Sequence, residues 1–198
     1  GCGTTRAEGP SQGDLEKKRS GRIQQDRARG ISLFNDGDLE ASRAYLDNAW
    51  ETNSDDLEIG YYLALMDMAE GDLSVAFKRT TQLLKNIDDD GFTSGFRLYV
   101  ELATALERLD EAEDFLKDYT EEDPTNLTLL NYLHRVYLEQ GKFAEVLRGS
   151  RIVLKKDETN LQAMHNLALC YLRTNRPEQA RYIIQRAIAL DADEPGSH

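Results

Sequence analysis

Small, aromatic and turn-forming residues recur along this chain at a fixed spacing of 34, in five successive frames that start at Ile23, Leu57, Thr93, Leu127 and Leu161. Two extra residues, Gly91 and Phe92, precede the third frame. A period of this length holds two helices and a short turn, and such a unit buries its apolar face only by stacking on its neighbours. The eighth residue of each frame is Gly30, Ala64, Val100, His134 or Ala168, and the twentieth is Ser42, Ala76, Ala112, Val146 or Ala180. Small residues dominate both columns, as helices that approach within about 8–10 Å require. A third column, Ala49, Leu83, Tyr119, Val153 and Ala187, spreads in size and predicts looser packing in the middle frames. Helix pairs are expected near 23–36 and 39–52, 57–70 and 73–87, 93–106 and 109–122, 127–140 and 143–156, and 161–174 and 177–190.

Between the two helices of a frame the wording also recurs, as Asn35-Asp36-Gly37-Asp38-Leu39, Glu70-Gly71-Asp72-Leu73 and Gln140-Gly141-Lys142-Phe143. Glycine takes the left-handed conformation that ends the first helix, and Asp38 or Asp72 is placed to cap the second. In the fifth frame Asn175 stands in for glycine and Pro177 opens the following helix. The third frame reads Glu107-Arg108-Leu109-Asp110, with no glycine, so its turn is expected to be the least regular.

Together the elements resemble the tetratricopeptide repeat. That family's motif has a large apolar residue, Leu, a small residue and an aromatic in its first helix, then Ala, aromatic and Ala in its second, and a late Pro. The fifth frame matches best, through Met164, Leu167, Ala168, Tyr171, Ala180, Ile184 and Ala187. The fourth supplies Leu130, Leu133, Tyr137, Gly141 and Phe143 but departs at His134, Val146 and Ser150, and only Pro124 keeps the late proline. The resemblance implies an all-α fold, a right-handed αα superhelix or solenoid of five helix-turn-helix repeats at 23–56, 57–92, 93–126, 127–160 and 161–194. Residues 1–22 then read as a flexible leader, and 195–198 as the start of a further repeat or a tag remnant.

It also implies a function of holding other proteins. In this family the concave face, built from the first helix of each repeat, commonly takes a peptide or helix of a partner. Carried onto this chain, the groove displays Arg27, Ile31 and Phe34, then Tyr61, Leu65 and Met68, then Arg97 and Glu101, then Asn131, Arg135 and Leu138, then His165, Leu169, Leu172 and Arg173. Tyr61, Arg97, Arg135 and Arg173 are the residue types that dominate binding hot spots. The family's carboxylate clamp for chaperone peptides uses Lys and Asn, where this chain has Arg27 and Ile31.

Charge narrows the partners. Residues 1–30 carry seven basic and four acidic side chains, a net of +3, which leaves −15 on the other 168 residues of a chain whose total is −12. That disfavours nucleic acid as a ligand of the repeats. Lys17-Lys18-Arg19-Ser20-Gly21-Arg22 reads as a solubilising linker or a contact with anionic lipid or an acidic partner. Acidic residues crowd the corners between frames, near the start of the next helix, where negative charge is favourable. Asp88-Asp89-Asp90 lacks the spaced acceptors of a calcium loop.

The N-terminus adds an address. Gly1-Cys2-Gly3-Thr4-Thr5 before a polar stretch looks like the start of a mature bacterial lipoprotein with Cys2 acylated, which implies the periplasmic face of the outer membrane. The same residues fit eukaryotic myristoylation of Gly1 with palmitoylation of Cys2, or a cloning remnant. Cys170 is expected as a buried small hydrophobe, not bonded to Cys2. His134 and His165 have no His or Cys at helical spacing, so no metal, cofactor, small-molecule substrate or catalytic site is expected. The expected protein is a noncatalytic, membrane-tethered scaffold or assembly factor of a bacterial envelope complex such as a type IV pilus, gliding or secretion machine, by resemblance to pilotin-like lipoproteins. The alternatives are a cytoplasmic adaptor or co-chaperone, soluble or acylated, and a positioning subunit for a cell-wall enzyme.

Overall fold

The computed structural model describes residues 11–85, 87 and 92–192. Cys2 and the lipidation motif, Asp88-Asp89-Asp90, Gly91 and 195–198 lie outside these. The described residues form ten α-helices and no strand: α1 Gln12–Asn35, α2 Leu39–Trp50, α3 Leu57–Ala69, α4 Leu73–Lys85, α5 Thr93–Ala105, α6 Leu109–Glu122, α7 Leu127–Glu139, α8 Phe143–Lys156, α9 Leu161–Arg173 and α10 Pro177–Ala192. Nine of the ten begin at the residue the repeat spacing predicts. The exception is α1, which starts at Gln12 and makes residues 12–22 helical instead of a flexible leader. Its start is fixed by a capping box, in which the Asp14 N–H donates to Ser11 Oγ at 3.2 Å and the Ser11 N–H to Asp14 Oδ2 at 3.2 Å.

The helices fall into two compact units, α1–α4 and α5–α10. In the first, α1 pairs with α2 and α3 with α4, and α3 also packs on α1 and α2. Close approach is set by glycine: a Cβ on Gly30 would lie 2.6 Å from Leu46 Cγ, and one on Gly60 would lie 2.5 Å from Leu83 Cδ2. Gly60 thus opens the space that the larger Leu83 fills, which is why Leu83 is fully packed where its size suggested looseness. Val153 of the same column is likewise buried. Leu46, Ala49, Ile59, Leu63 and Met66 form the core, covered by Ile23, Ile31, Phe34, Trp50 and Tyr62. Beside it the buried Asp67 carboxylate accepts from Arg43 Nη2 at 3.0 Å and Arg79 Nε at 2.9 Å, and Arg79 also lies over the Trp50 ring. A buried carboxylate of this kind is tolerated because both its oxygens are paired.

In the second unit α7 is central, packing on α5, α6, α8 and α9, while α9 pairs with α10. Its core runs from Phe96, Tyr99, Leu102 and Leu116 through Leu138, Val146 and Cys170 to Met164, Leu167, Ala180 and Ile183. Phe96 stacks on Tyr132 and meets Tyr119 edge-on. Cys170 is a free, buried thiol whose Sγ donates to the Phe143 carbonyl at 3.6 Å. At the α7–α8 contact the small column is broken by His134, and the compensation sits across from it. A Cβ on Gly149 would lie 2.0 Å from His134 Nε2, so the imidazole occupies space that only glycine leaves. His134 is buried with Nδ1 unpartnered among the described residues, and loss of solvent pushes its pKa down to about 4.

All five hairpins close with one turn. The second residue past the helix has positive φ at Gly37, Gly71, Gly141, Glu107 and Asn175, and the next N–H reaches back five residues. These bonds run from Asp38 to Leu33, Asp72 to Asp67, Arg108 to Ala103, Lys142 to Tyr137 and Arg176 to Tyr171, at 2.8–2.9 Å. The third turn is therefore as regular as the others, against the expectation from its missing glycine. Two satisfied helix-end carbonyls outweigh the roughly 1 kcal/mol that a left-handed Glu107 costs. The corners between hairpins also repeat: Asp123 accepts from the N–H and hydroxyl of Thr125 while Asn126 caps α7, and Asp157, Thr159 and Asn160 do the same before α9. These bonds hold both aspartates below the usual carboxylate range.

Candidate peptide-binding groove

Two turns of spacing along α5, α7 and α9 place one residue set on a shared surface, because positions three and four apart lie on one helix face. A cleft of about 560 Å³ there is bounded by Arg97, Glu101, Arg135 and His165, four of the groove residues expected from sequence. Val100, Thr104, Tyr132, Gln162 and Asn166 complete it. Thr104 and Gln162 occupy frame positions that the family groove uses, so a signal for them existed. Tyr132 and Asn166 are adjacent to such positions and had none beyond helix geometry.

Most of the cleft's polar groups are already engaged. Arg97 Nε lies 4.0 Å from Glu101 Oε1, and Arg135 Nη2 lies 2.9 Å from Glu139 Oε1. The Tyr132 hydroxyl donates to the Thr93 carbonyl at 2.9 Å, tying α7 to the start of α5. His165 titrates below its ordinary value, through partial burial and then the neighbouring Arg135 charge. At neutral pH it is an uncharged imidazole at the rim, able to donate from one nitrogen and accept at the other.

Two expected groove residues do structural work instead. Asn131 is buried: its Nδ2 donates to Asn160 Oδ1 at 2.8 Å and its carbonyl accepts from Asn166 Nδ2 at 3.0 Å. It joins α7 to the cap of α9 and presents nothing to a ligand, which corrects its placement in the groove. Arg173 donates to the Leu138 carbonyl and to Glu139 Oε2, both at 2.9 Å, so Glu139 links Arg135 with Arg173.

In the first unit, Arg27 is not held out for a ligand: it pairs with Asp56 at 3.6 Å and with Glu58 at the start of α3. Phe34 and Tyr61 each meet Tyr62 edge-on, at 5.0 and 5.8 Å, and Met68 is half-buried on α3. Among the described residues no group of three or more His, Cys, Asp or Glu is placed to hold a metal, and no helix is long and apolar enough to cross a membrane.

Five helical hairpins closed by one turn type define a helical-repeat protein. Within that class, residues 134–195 match the tetratricopeptide repeat. Tetratricopeptide repeat protein 8 of Caenorhabditis elegans is 27% identical over 119 residues, which cover 59% of this chain and 23% of that protein. The chain thus spans about a quarter of that relative's length. TTC0263, a thermophilic tetratricopeptide repeat protein in Thermus thermophilus, is 21% identical and superposes with a TM-score of 0.64 over 87% of this chain and 93% of its own. MamA from Desulfovibrio magneticus RS-1 is 13% identical, with a TM-score of 0.62 over 88% and 98%. YrrB, described as a tetratricopeptide repeat protein with an unusual peptide-binding site, is 17% identical, with a TM-score of 0.55 over 89% and 93%. At these identities the likeness is one of fold.

Proposed function

We propose that this chain is a noncatalytic protein-binding scaffold that takes a peptide or helix of a partner across α5, α7 and α9, and that acylation of Cys2 tethers it at the periplasmic face of a bacterial outer membrane. The observation that carries the first half is the cleft bounded by Arg97, Glu101, Arg135 and His165. It is large enough for several side chains, since ligand pockets run from about 300 to 1,000 Å³. Its Gln162 amide and His165 imidazole suit main-chain recognition, and the peptide-binding site named for YrrB supports the same use of this fold. The tether rests on the Gly1-Cys2-Gly3 start. The role is stoichiometric: the anchor localises the helical hairpins, and the cleft recruits an envelope protein during assembly of a pilus, gliding or secretion complex.

The test places a photo-crosslinking amino acid at position 165 or, as a control, at exposed Ile152 of α8, in the full-length protein in its own host. A discrete protein adduct from 165 and none from 152 is expected, together with a diacyl- or triacylglyceryl mass on the Cys2 peptide. Absence of any adduct from 165 refutes the groove, and an unmodified Cys2 in the soluble fraction refutes the tether.

A further inference from the structure

A second cleft, of about 580 Å³, lies among α8, α9 and α10. Its contribution from α9 comes through Leu167 and Tyr171, which face the other side of that helix from Gln162, His165 and Asn166. The floor is apolar, made by Leu154, Leu167 and Ile183 with the Tyr171 ring. Tyr182 stands at the edge, 65% exposed, a large aromatic with no aromatic or hydrogen-bonding partner among the described residues.

Around this floor stand Arg151, Lys155 and Arg186. Arg151 donates to the Tyr171 hydroxyl at 3.1 Å, and Arg186 to the Glu158 carbonyl at 2.8 Å. Each guanidinium therefore spends one of its five donors, on an uncharged acceptor, and keeps its full charge. Lys155 makes no hydrogen bond or ion pair with a described residue. Glu178, the carboxylate on the lining, lies 3.3 Å from Arg181 on its own helix. Three cations that form no ion pair with a described residue, set round an apolar floor that carries one carboxylate, Glu178, are out of keeping with a chain of net charge −12.

We propose that this cleft is a second protein-binding site, and that it takes an acidic peptide segment anchored by an aliphatic or aromatic side chain. The apolar floor receives the anchor, and the three cations receive carboxylates on either side of it. Arg151 and Lys155 are one turn apart on α8, and Gln179 and Arg186 about two turns apart on α10. At about 1.5 Å per residue the rim extends roughly 10 Å, the reach of a short segment and not of a single carboxylate. Residues 31–198 carry −15, so the acidic surface of the repeats repels such a segment elsewhere, and charge both favours this cleft and makes binding sensitive to salt. Nothing in this assignment depends on the cleft across α5, α7 and α9.

The probe is a displayed library of random twelve-residue peptides, selected on the intact chain. Selected peptides are then measured against Lys155→Glu, Tyr182→Ala and, as a control at the other cleft, Arg135→Glu. Lys155 and Tyr182 are exposed and make no hydrogen bond to a described residue, so both variants are expected to melt like the parent. The expected peptides carry Asp or Glu flanking a Leu, Ile, Phe or Trp. Their binding weakens about tenfold in each of the first two variants, is unchanged in Arg135→Glu, and falls as salt rises from about 0.05 to 0.5 M. Failure to enrich any peptide, a consensus without acids, or binding that survives Lys155→Glu overturns the assignment. Peptides lost only in Arg135→Glu would report the other cleft, overturning this proposal while supporting the proposed function.

Discussion

Two clefts of nearly equal volume differ in what their cations already hold. Across α5, α7 and α9, Arg97 and Arg135 each stand beside a carboxylate one turn along the same helix. Among α8, α9 and α10, the hydrogen bonds of Arg151 and Arg186 to described residues go to uncharged oxygens, and Lys155 makes none to a described residue. A ligand at the first cleft meets charge that is largely balanced, so shape and neutral hydrogen bonds decide what binds. At the second, net positive charge remains to be met by the ligand. Residue type alone does not separate the two, since both show arginine and tyrosine at helical spacing. The separation comes from whether an acid sits four residues away, and from which neighbouring helix the head group reaches.

The largest effect expected on this pair of sites comes from the contact between α7 and α8, since α7 lines the first cleft and α8 the second. Gly149→Val puts side-chain atoms where His134 Nε2 already lies, and should destabilise the second unit by about 3 kcal/mol, read from urea unfolding. Both clefts should lose binding together. If only one fails, the α7–α8 contact does not support them jointly.

Acid should act at the same point. His134 has a folded pKa of about 4 against 6.5 for the ordinary imidazole, so the unfolded chain binds its proton more readily. Stability is therefore retained above pH 6.5, falls as pH drops towards 4, and is lower by about 3 kcal/mol from this group once both states are protonated. In His134→Leu this part of the pH dependence should vanish, as followed by denaturant midpoints at several pH values.

A smaller change sharpens the contrast. Glu139→Gln weakens the link between Arg135 and Arg173 and should cost roughly 1 kcal/mol. It should shift peptide binding at the α5, α7 and α9 cleft and leave the α8, α9 and α10 cleft unchanged, by titration of a peptide specific to each. The smallest effect is expected from Glu107→Gly, which relieves the left-handed residue at the third turn and should stabilise the second unit by about 0.5–1 kcal/mol. Neither cleft should respond, and a change in either would mean that the turn positions α5.

The lining of the cleft across α5, α7 and α9 was partly legible in the sequence. Arg97, Glu101, Arg135 and His165 gather as the helix spacing implies, because a side chain's direction on a regular helix follows from its number. Asn131 and Arg173 obey the same spacing, yet their polar ends turn to Asn160, Leu138 and Glu139. A short or flexible polar side chain points where its partner is, and that partner lies 29 to 35 residues away. The floor of the cleft among α8, α9 and α10 had no sequence signal, since it comes from three helices whose apolar residues look like ordinary core.

The sequence by itself determined the period, nine of the ten helix starts and the four turns that carry glycine or asparagine; starts and turns are local, set within about one helical turn by capping, backbone preference and i→i+4 spacing. Only the tertiary structure decided how misfit side chains are housed and which charges remain unmatched. His134 is accommodated by Gly149, and Leu83 by Gly60. The physical reason is that packing and ion pairing are properties of contacts between segments, and the same residue in the same slot is core, clamp or binding surface according to what faces it.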